Sequence, residues 1–206
     1  MANLITLGRL ILLFVVVAIA YQPSSTFQLI NVPLLIVVFV ADAIDGYVAR
    51  RLNETSVLGA MFDIAGDRIV EYTLWIIFAD LDLVPIWVPL IFVFRGTIVD
   101  TIRSGHVRAE GESPFAMMRS TIGKWLVGGT FMRIFYAVIK AVAFCWLALI
   151  QPLATITPEF WVEWSLVLVG VSKVLVYLAV GLCLVRGLPV IIELVYAGRP
   201  VKGKTL

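Results

Sequence analysis

The chain has 206 residues, 61% of them hydrophobic and 15% charged, with a mean hydropathy of +1.02 and a net charge of +2. A soluble domain is about half apolar and about a quarter charged, so this composition excludes one and points to an integral membrane protein. It reads as a single membrane domain over residues 1–206, with no signal for a nucleic-acid partner.

Hydropathy predicts an all-α polytopic fold with six transmembrane helices near 4–21, 29–50, 58–79, 84–103, 125–150 and 162–186. The first is read as a retained helix, because no small-residue cleavage site precedes a polar mature chain. The connections YQPSSTFQL, ADLDLVP and QPLATITPEFWVE carry no Lys or Arg, whereas Arg9, Arg50, Arg51, Arg103, Arg108, Arg119, Lys124, Arg186 and Lys202 mark the opposite ends. The positive-inside rule then puts both termini in the cytoplasm of a bacterial-type inner membrane. Pro23, Pro33, Pro85, Pro89, Pro152 and Pro158 fall at the outer ends, where first turns and loops tolerate a missing amide proton.

Residues 104–120 form the longest polar interruption and read as a cytoplasmic lid containing His106. After residue 186 the apolar run GLPVIIELVYAG is expected to lie along the inner surface, with Lys202 and Lys204 meeting anionic lipids. Cys145 and Cys183 sit in apolar runs without CxxC spacing and read as small hydrophobes.

The anomaly is residues 42–67, DAIDGYVARRLNETSVLGAMFDIAGD, which set four aspartates into otherwise apolar segments. Intramembrane carboxylates are costly and mark function. Spacings of three, four and seven return to one helix face, so Asp42, Asp45 and Ala49 share a stripe of span 2, and Gly59, Asp63 and Asp67 share one of span 3. A turn over 51–56 is expected to bring the stripes face to face. Four such carboxylates repel unless cations neutralise them, and oxygen-only ligands favour Mg²⁺ or Mn²⁺, in a pair that suits displacement at phosphorus. Gly46, Ala49 and Gly59 leave room for helix approach or a phosphate, and Arg50 offers that phosphate a bidentate fork. Their plainer reading is helix packing and a membrane boundary.

The pattern Asp42-x2-Asp45-Gly46-x2-Ala49-Arg50-x8-Gly59-x3-Asp63-x3-Asp67 resembles the signature of the CDP-alcohol phosphatidyltransferase family without a gap. The resemblance implies a homodimer of six-helix protomers that joins a CDP-linked lipid, CDP-diacylglycerol, to an alcohol and releases CMP. It implies that Asp42, Asp45 and Asp63 hold the ions, two per protomer, and that Asp67 completes the site and acts as base toward the acceptor hydroxyl. Gly46, Arg50 and Gly59 would shape the CDP pocket.

The basic residues between spans 4 and 5, among them Arg95, Arg103 and Lys124, exceed what a neutral alcohol needs and suit a phosphorylated acceptor. Positive-inside topology is their competing explanation. Asn3-x2-Thr6-x2-Arg9, Arg95-x7-Arg103 with Ala109-Glu110, and Ser120-x2-Gly123-Lys124 resemble segments of phosphatidylglycerophosphate synthases. Gly96 departs from that pattern, which usually has Glu there, and Arg68 replaces the common Lys.

Glycerol 3-phosphate is therefore the first-ranked acceptor, with an inositol phosphate or another alcohol as alternatives. A cation-coupled transporter is the reading from a different class. Arg133 and Lys140, seven apart, share a face and reach either the acceptor site or Glu71. Lys173 lies centrally in span 6, which argues against an outward-facing side chain.

Overall fold

A computed structural model describes residues 2–52, 57–110 and 129–197. Among these residues the fold is all helical: α1 (Ala2–Ala20), a single turn α2 (Ser25–Gln28), α3 (Asn31–Leu52), α4 (Val57–Asp80), α5 (Trp87–Glu110), α6 (Thr130–Ile156) and α7 (Pro158–Ala197). Three stretches are long and apolar enough to cross a membrane, Ser25–Asp42, Thr130–Ile156 and Pro158–Ile192, and α1 adds the shorter apolar run Leu4–Ala20. Helices α4 and α5 interrupt their apolar sequence with Asp63, Asp67, Arg68, Glu71, Arg95 and Asp100. The chain is an integral membrane protein.

Several boundaries move from their expected places. The segment 104–110, read as part of a lid, continues α5 as helix, while 111–128 and the tail after Ala197 lie outside the described residues. Helix α7 likewise passes residue 186 and contains Pro189 instead of breaking into a surface segment. Its 40 residues reach about 60 Å at a rise of about 1.5 Å each, twice a hydrocarbon core. Pro152 lies inside α6, buried, one turn before the end. The break between α6 and α7 is a single residue, Thr157 (φ −131°, ψ 71°). Pro158 explains it, since a residue preceding proline is pushed out of the helical region.

The six long helices close into a ring in which α1 packs on α3, α3 on α6, α6 on α7, α7 on α5, α5 on α4 and α4 on α1. Trp75 of α4 fills the middle, stacked on Phe92 of α5 at 4.7 Å between ring centres and tilted against Phe144 of α6 at 4.6 Å. Leu13, Val38 and Ala179 from the other helices, with Val88 of α5, belong to the same buried cluster. The outside is apolar as well: Phe14, Val37, Val162 and Leu166 are all exposed. Such a surface is costly in water and natural in lipid.

One feature of this ring bears on the site. Helices α3 and α4 follow one another in sequence, yet α1 lies along both of them, and their direct contact among the described residues is slight. Among the described residues, Asp42 of α3 and Asp67 of α4 are both reached from α1.

Candidate active site

Helix α3 supplies Asp42, and α4 supplies Asp63 and Asp67, two residues one turn apart on one face. One carboxylate oxygen from each of the three falls within 4.8 Å of the others, a group able to hold a metal ion. Asp42 and Asp67 are exposed and Asp63 is half-buried, so the group opens outward. The donor set is oxygen only, which fits a hard divalent cation and not zinc. Gly59 is half-buried on α4, one turn before Asp63. Asp45, Gly46, Ala49 and Arg50 lie in α3, and Arg103 in α5, but their side chains are outside the described set, as is Lys124 altogether.

Beneath the carboxylates sits a cation. Arg9 of α1, only 3% exposed, donates from Nη1 to Asp42 Oδ1 and from Nη2 to Asp67 Oδ1. Sequence reasoning saw Arg9 as a topology marker and as part of an amino-terminal motif; its contact with the aspartates depends on how α1 packs. Gly66, immediately before Asp67, makes that packing close: a Cβ there would lie 2.8 Å from Thr6 Cγ2 and 3.9 Å from Arg9 Nη2.

A second charged region is built by α4 to α7. Glu71, 4% exposed, accepts from Arg68 Nη1 at 2.6 Å and from Lys140 Nζ at 2.7 Å. The pairing of Lys140 with Glu71 was one of two expected fates for that lysine. Arg68 also forks onto Asp100 of α5, with Nε to Oδ2 at 2.6 Å and Nη2 to Oδ1 at 3.1 Å. Tyr136 of α6 anchors this region; Lys140 Nζ is 4.5 Å and Arg186 Cζ 5.4 Å from its ring centre.

Arg95 is buried, and its Nε has no hydrogen-bond partner among the described residues. Its side chain crosses Gly187 of α7, where a Cβ would come within 2.7 Å of Arg95 Cγ. Arg186, buried beside it, has Arg95 and Arg133 as electrostatic neighbours. Among the described residues this region gathers Arg68, Arg95, Lys140 and Arg186 with Glu71 and Asp100. Arg133 and Lys173 are exposed; the outward placement of Lys173 corrects the expectation drawn from its central position.

The departure at Gly96 has a physical reason. A Cβ at that position would fall 1.8 Å from the Tyr72 hydroxyl oxygen, so Tyr72 of α4 fills the volume that a larger side chain would need.

A family model described as CDP-alcohol phosphatidyltransferase matches residues 1–185. The chain belongs to the CDP-alcohol phosphatidyltransferase family. It is thereby a CDP-alcohol-dependent phosphatidyltransferase of lipid biosynthesis. Among curated relatives, a CDP-diacylglycerol–glycerol-3-phosphate 3-phosphatidyltransferase of Bacillus subtilis is 27% identical over 135 residues, covering 60% of this chain and 69% of the relative. A putative cardiolipin synthase of Mycobacterium tuberculosis is 33% identical over 99 residues, 47% of this chain and 46% of that protein. A second glycerol-3-phosphate 3-phosphatidyltransferase, from Wigglesworthia glossinidia brevipalpis, is 33% identical over 66 residues, 32% of this chain and 36% of the relative. The match spans under half the length of the last two proteins.

Proposed function

We propose that this protein transfers the phosphatidyl group of CDP-diacylglycerol to glycerol 3-phosphate, giving phosphatidylglycerophosphate and CMP. The observation that carries the reading is the convergence of Asp42, Asp63 and Asp67 within the family signature. The names of the Bacillus and Wigglesworthia relatives support this acceptor. The buried guanidinium groups of Arg95 and Arg186 support a phosphorylated one in general.

In this reading six helices cross the inner membrane, both termini are cytoplasmic, and the acidic group faces the cytoplasm. Diacyl chains stay in lipid while the headgroup reaches the pocket. Two protomers form the working dimer, and anionic lipids meet the basic tail.

Asp42, Asp45, Asp63 and Asp67 would hold Mg²⁺ or Mn²⁺. When bound, the ions offset charge on the diphosphate and on departing CMP. Gly46, Ala49, Arg50 and Gly59 shape the nucleotide pocket, and Arg95, Arg103 and Lys124 hold the acceptor phosphate. Asp67 orients the acceptor hydroxyl and accepts its proton as the oxygen attacks the β-phosphorus. The bond from that phosphorus to the bridging oxygen breaks, and CMP leaves with the electron pair. Trp75, Phe92 and Phe144 fill the ring, an arrangement that favours a surface pocket over the conduit a transporter needs.

The test supplies purified protein with CDP-diacylglycerol, Mg²⁺ or Mn²⁺, and in separate arms glycerol 3-phosphate, inositol phosphate, glycerol and phosphatidylglycerol. CMP release is measured and the lipid product identified by mass. Phosphatidylglycerophosphate is expected. A different lipid product overturns the acceptor, and absence of CMP in protein that still binds the donor overturns the transfer.

A further inference from the structure

The aspartate motif is split between α3 and α4. Helix α1 lies along both, and direct α3–α4 contact among the described residues is slight. A side chain on α1 is therefore placed to set where Asp42 stands relative to Asp67. The residue at that place is Arg9, whose Nη1 and Nη2 each donate to one carboxylate.

We propose that Arg9 is a positioning residue that fixes the separation of Asp42 and Asp67 and so builds the spacing required for divalent cations. This rests on the metal-dependent reading given above. Four observations converge on it. Arg9 is buried while its two partners are about half exposed, 2% against 46% and 47% of their side chains, so the guanidinium is the fixed element and the carboxylates are what it holds. The contact engages Oδ1 of each aspartate, and both carboxylates open to the surface in the group able to hold a metal ion. The planar guanidinium dictates the distance between its two acceptors, which the single ammonium of lysine does not. Finally, Thr6, 1% exposed and one turn before Arg9, packs against Gly66, so the α1 turn carrying Arg9 and the α4 turn carrying Asp67 approach as closely as a missing Cβ allows.

Two simpler roles make different predictions. As a topology marker alone, Arg9 is replaceable by Lys. As a counter-ion alone, it competes with metal, and its removal tightens cation binding. A positioning role predicts that Arg9→Lys and Arg9→Met both weaken binding, although one keeps the charge and the other deletes it.

The experiment titrates detergent-purified full-length protein with Mn²⁺ and follows free Mn²⁺ by electron paramagnetic resonance, with CMP release measured in parallel. Loss of a group that orients metal ligands costs about 10- to 100-fold in metal affinity or activity, and both Arg9 variants are expected in that range. Gly66→Ala pushes Thr6 away and is expected to weaken Mn²⁺ binding several-fold with Arg9 still present. Adding Thr6→Ser, which deletes the clashing Cγ2, is expected to restore it. Wild-type affinity in Arg9→Lys, or tighter binding in Arg9→Met, overturns the proposal. If the Arg9 variants do not fold, the Gly66 pair decides, and unchanged Mn²⁺ binding in Gly66→Ala overturns it. Failure of the wild-type protein itself to bind Mn²⁺ would instead overturn the metal-dependent reading on which the inference rests.

Discussion

At the acidic corner, the abundant charge faces outward and the scarce charge is buried: Asp42 and Asp67 are about half exposed over an Arg9 side chain that is 2% exposed. The basic region inverts the signs and keeps part of the arrangement. Glu71, with 5% of its side chain exposed, lies under Arg68 at 24% and Lys140 at 18%. The difference is in what lies alongside. Arg9 engages one oxygen on each of two exposed aspartates, whereas Glu71 and Asp100 engage Arg68 and Lys140 close to the buried Arg95 and Arg186. In the function proposed above, the first region receives cations from outside and the second receives the acceptor phosphate.

The comparison is broken most severely at Glu71. Glu71→Ala strands Lys140 and leaves Arg68 to Asp100 alone, and loss of one partner of a buried ion pair costs about 3–5 kcal/mol. We expect a large fall in thermal midpoint, with part of it recovered in Glu71→Gln combined with Lys140→Met, where no stranded ammonium remains. Equal midpoints for wild type and Glu71→Ala would mean that this network does not hold α4 to α6.

Arg95→Met removes a charged donor without altering the acidic corner. Loss of such a hydrogen bond, about 1.5–3 kcal/mol, corresponds to a rise of about 10- to 100-fold in KM for a phosphorylated acceptor, with donor binding unchanged. Steady-state kinetics with glycerol 3-phosphate as the varied substrate reads this directly. An unchanged KM removes Arg95 from the acceptor site.

Gly96→Ala drives a methyl group into the Tyr72 hydroxyl. Overpacking of this kind costs about 1–3 kcal/mol, and Tyr72→Phe in the same protein should relieve it, as read by thermal unfolding.

Tyr21→Phe is the smallest change, because its bond to Asp80 at 2.6 Å is exposed and worth about 0.5 kcal/mol. That hydrogen bond pushes the Tyr21 hydroxyl up from 10.0 to about 12. A raised pKa means that the contribution is fully present below pH 10 and is lost as pH climbs through about 12. The stability gap between wild type and variant should therefore close over that interval.

Much of this was legible in sequence. Six apolar segments correspond to the six long helices, and the spacing of Asp63 and Asp67 put them on one face because helical periodicity is local. Hydropathy was a poor guide to where helices stop. Polar residues 104–110 remain helical in α5, and the run after residue 186, read as a surface segment, continues α7. Arg9 was visible as a charge, but not as the group between two aspartates, because that depends on α1 lying between α3 and α4. Tyr72 could not be connected with Gly96 for the same reason: 24 positions apart on neighbouring helices, they share space only after packing.

The division between the two regions is tested most directly by measuring Mg²⁺-dependent donor binding and acceptor KM side by side in Asp42→Asn and Arg95→Met. The account predicts opposite defects: Asp42→Asn loses metal-dependent binding of CDP-diacylglycerol, while Arg95→Met keeps it and raises only the KM for glycerol 3-phosphate. The same defect in both variants would contradict it.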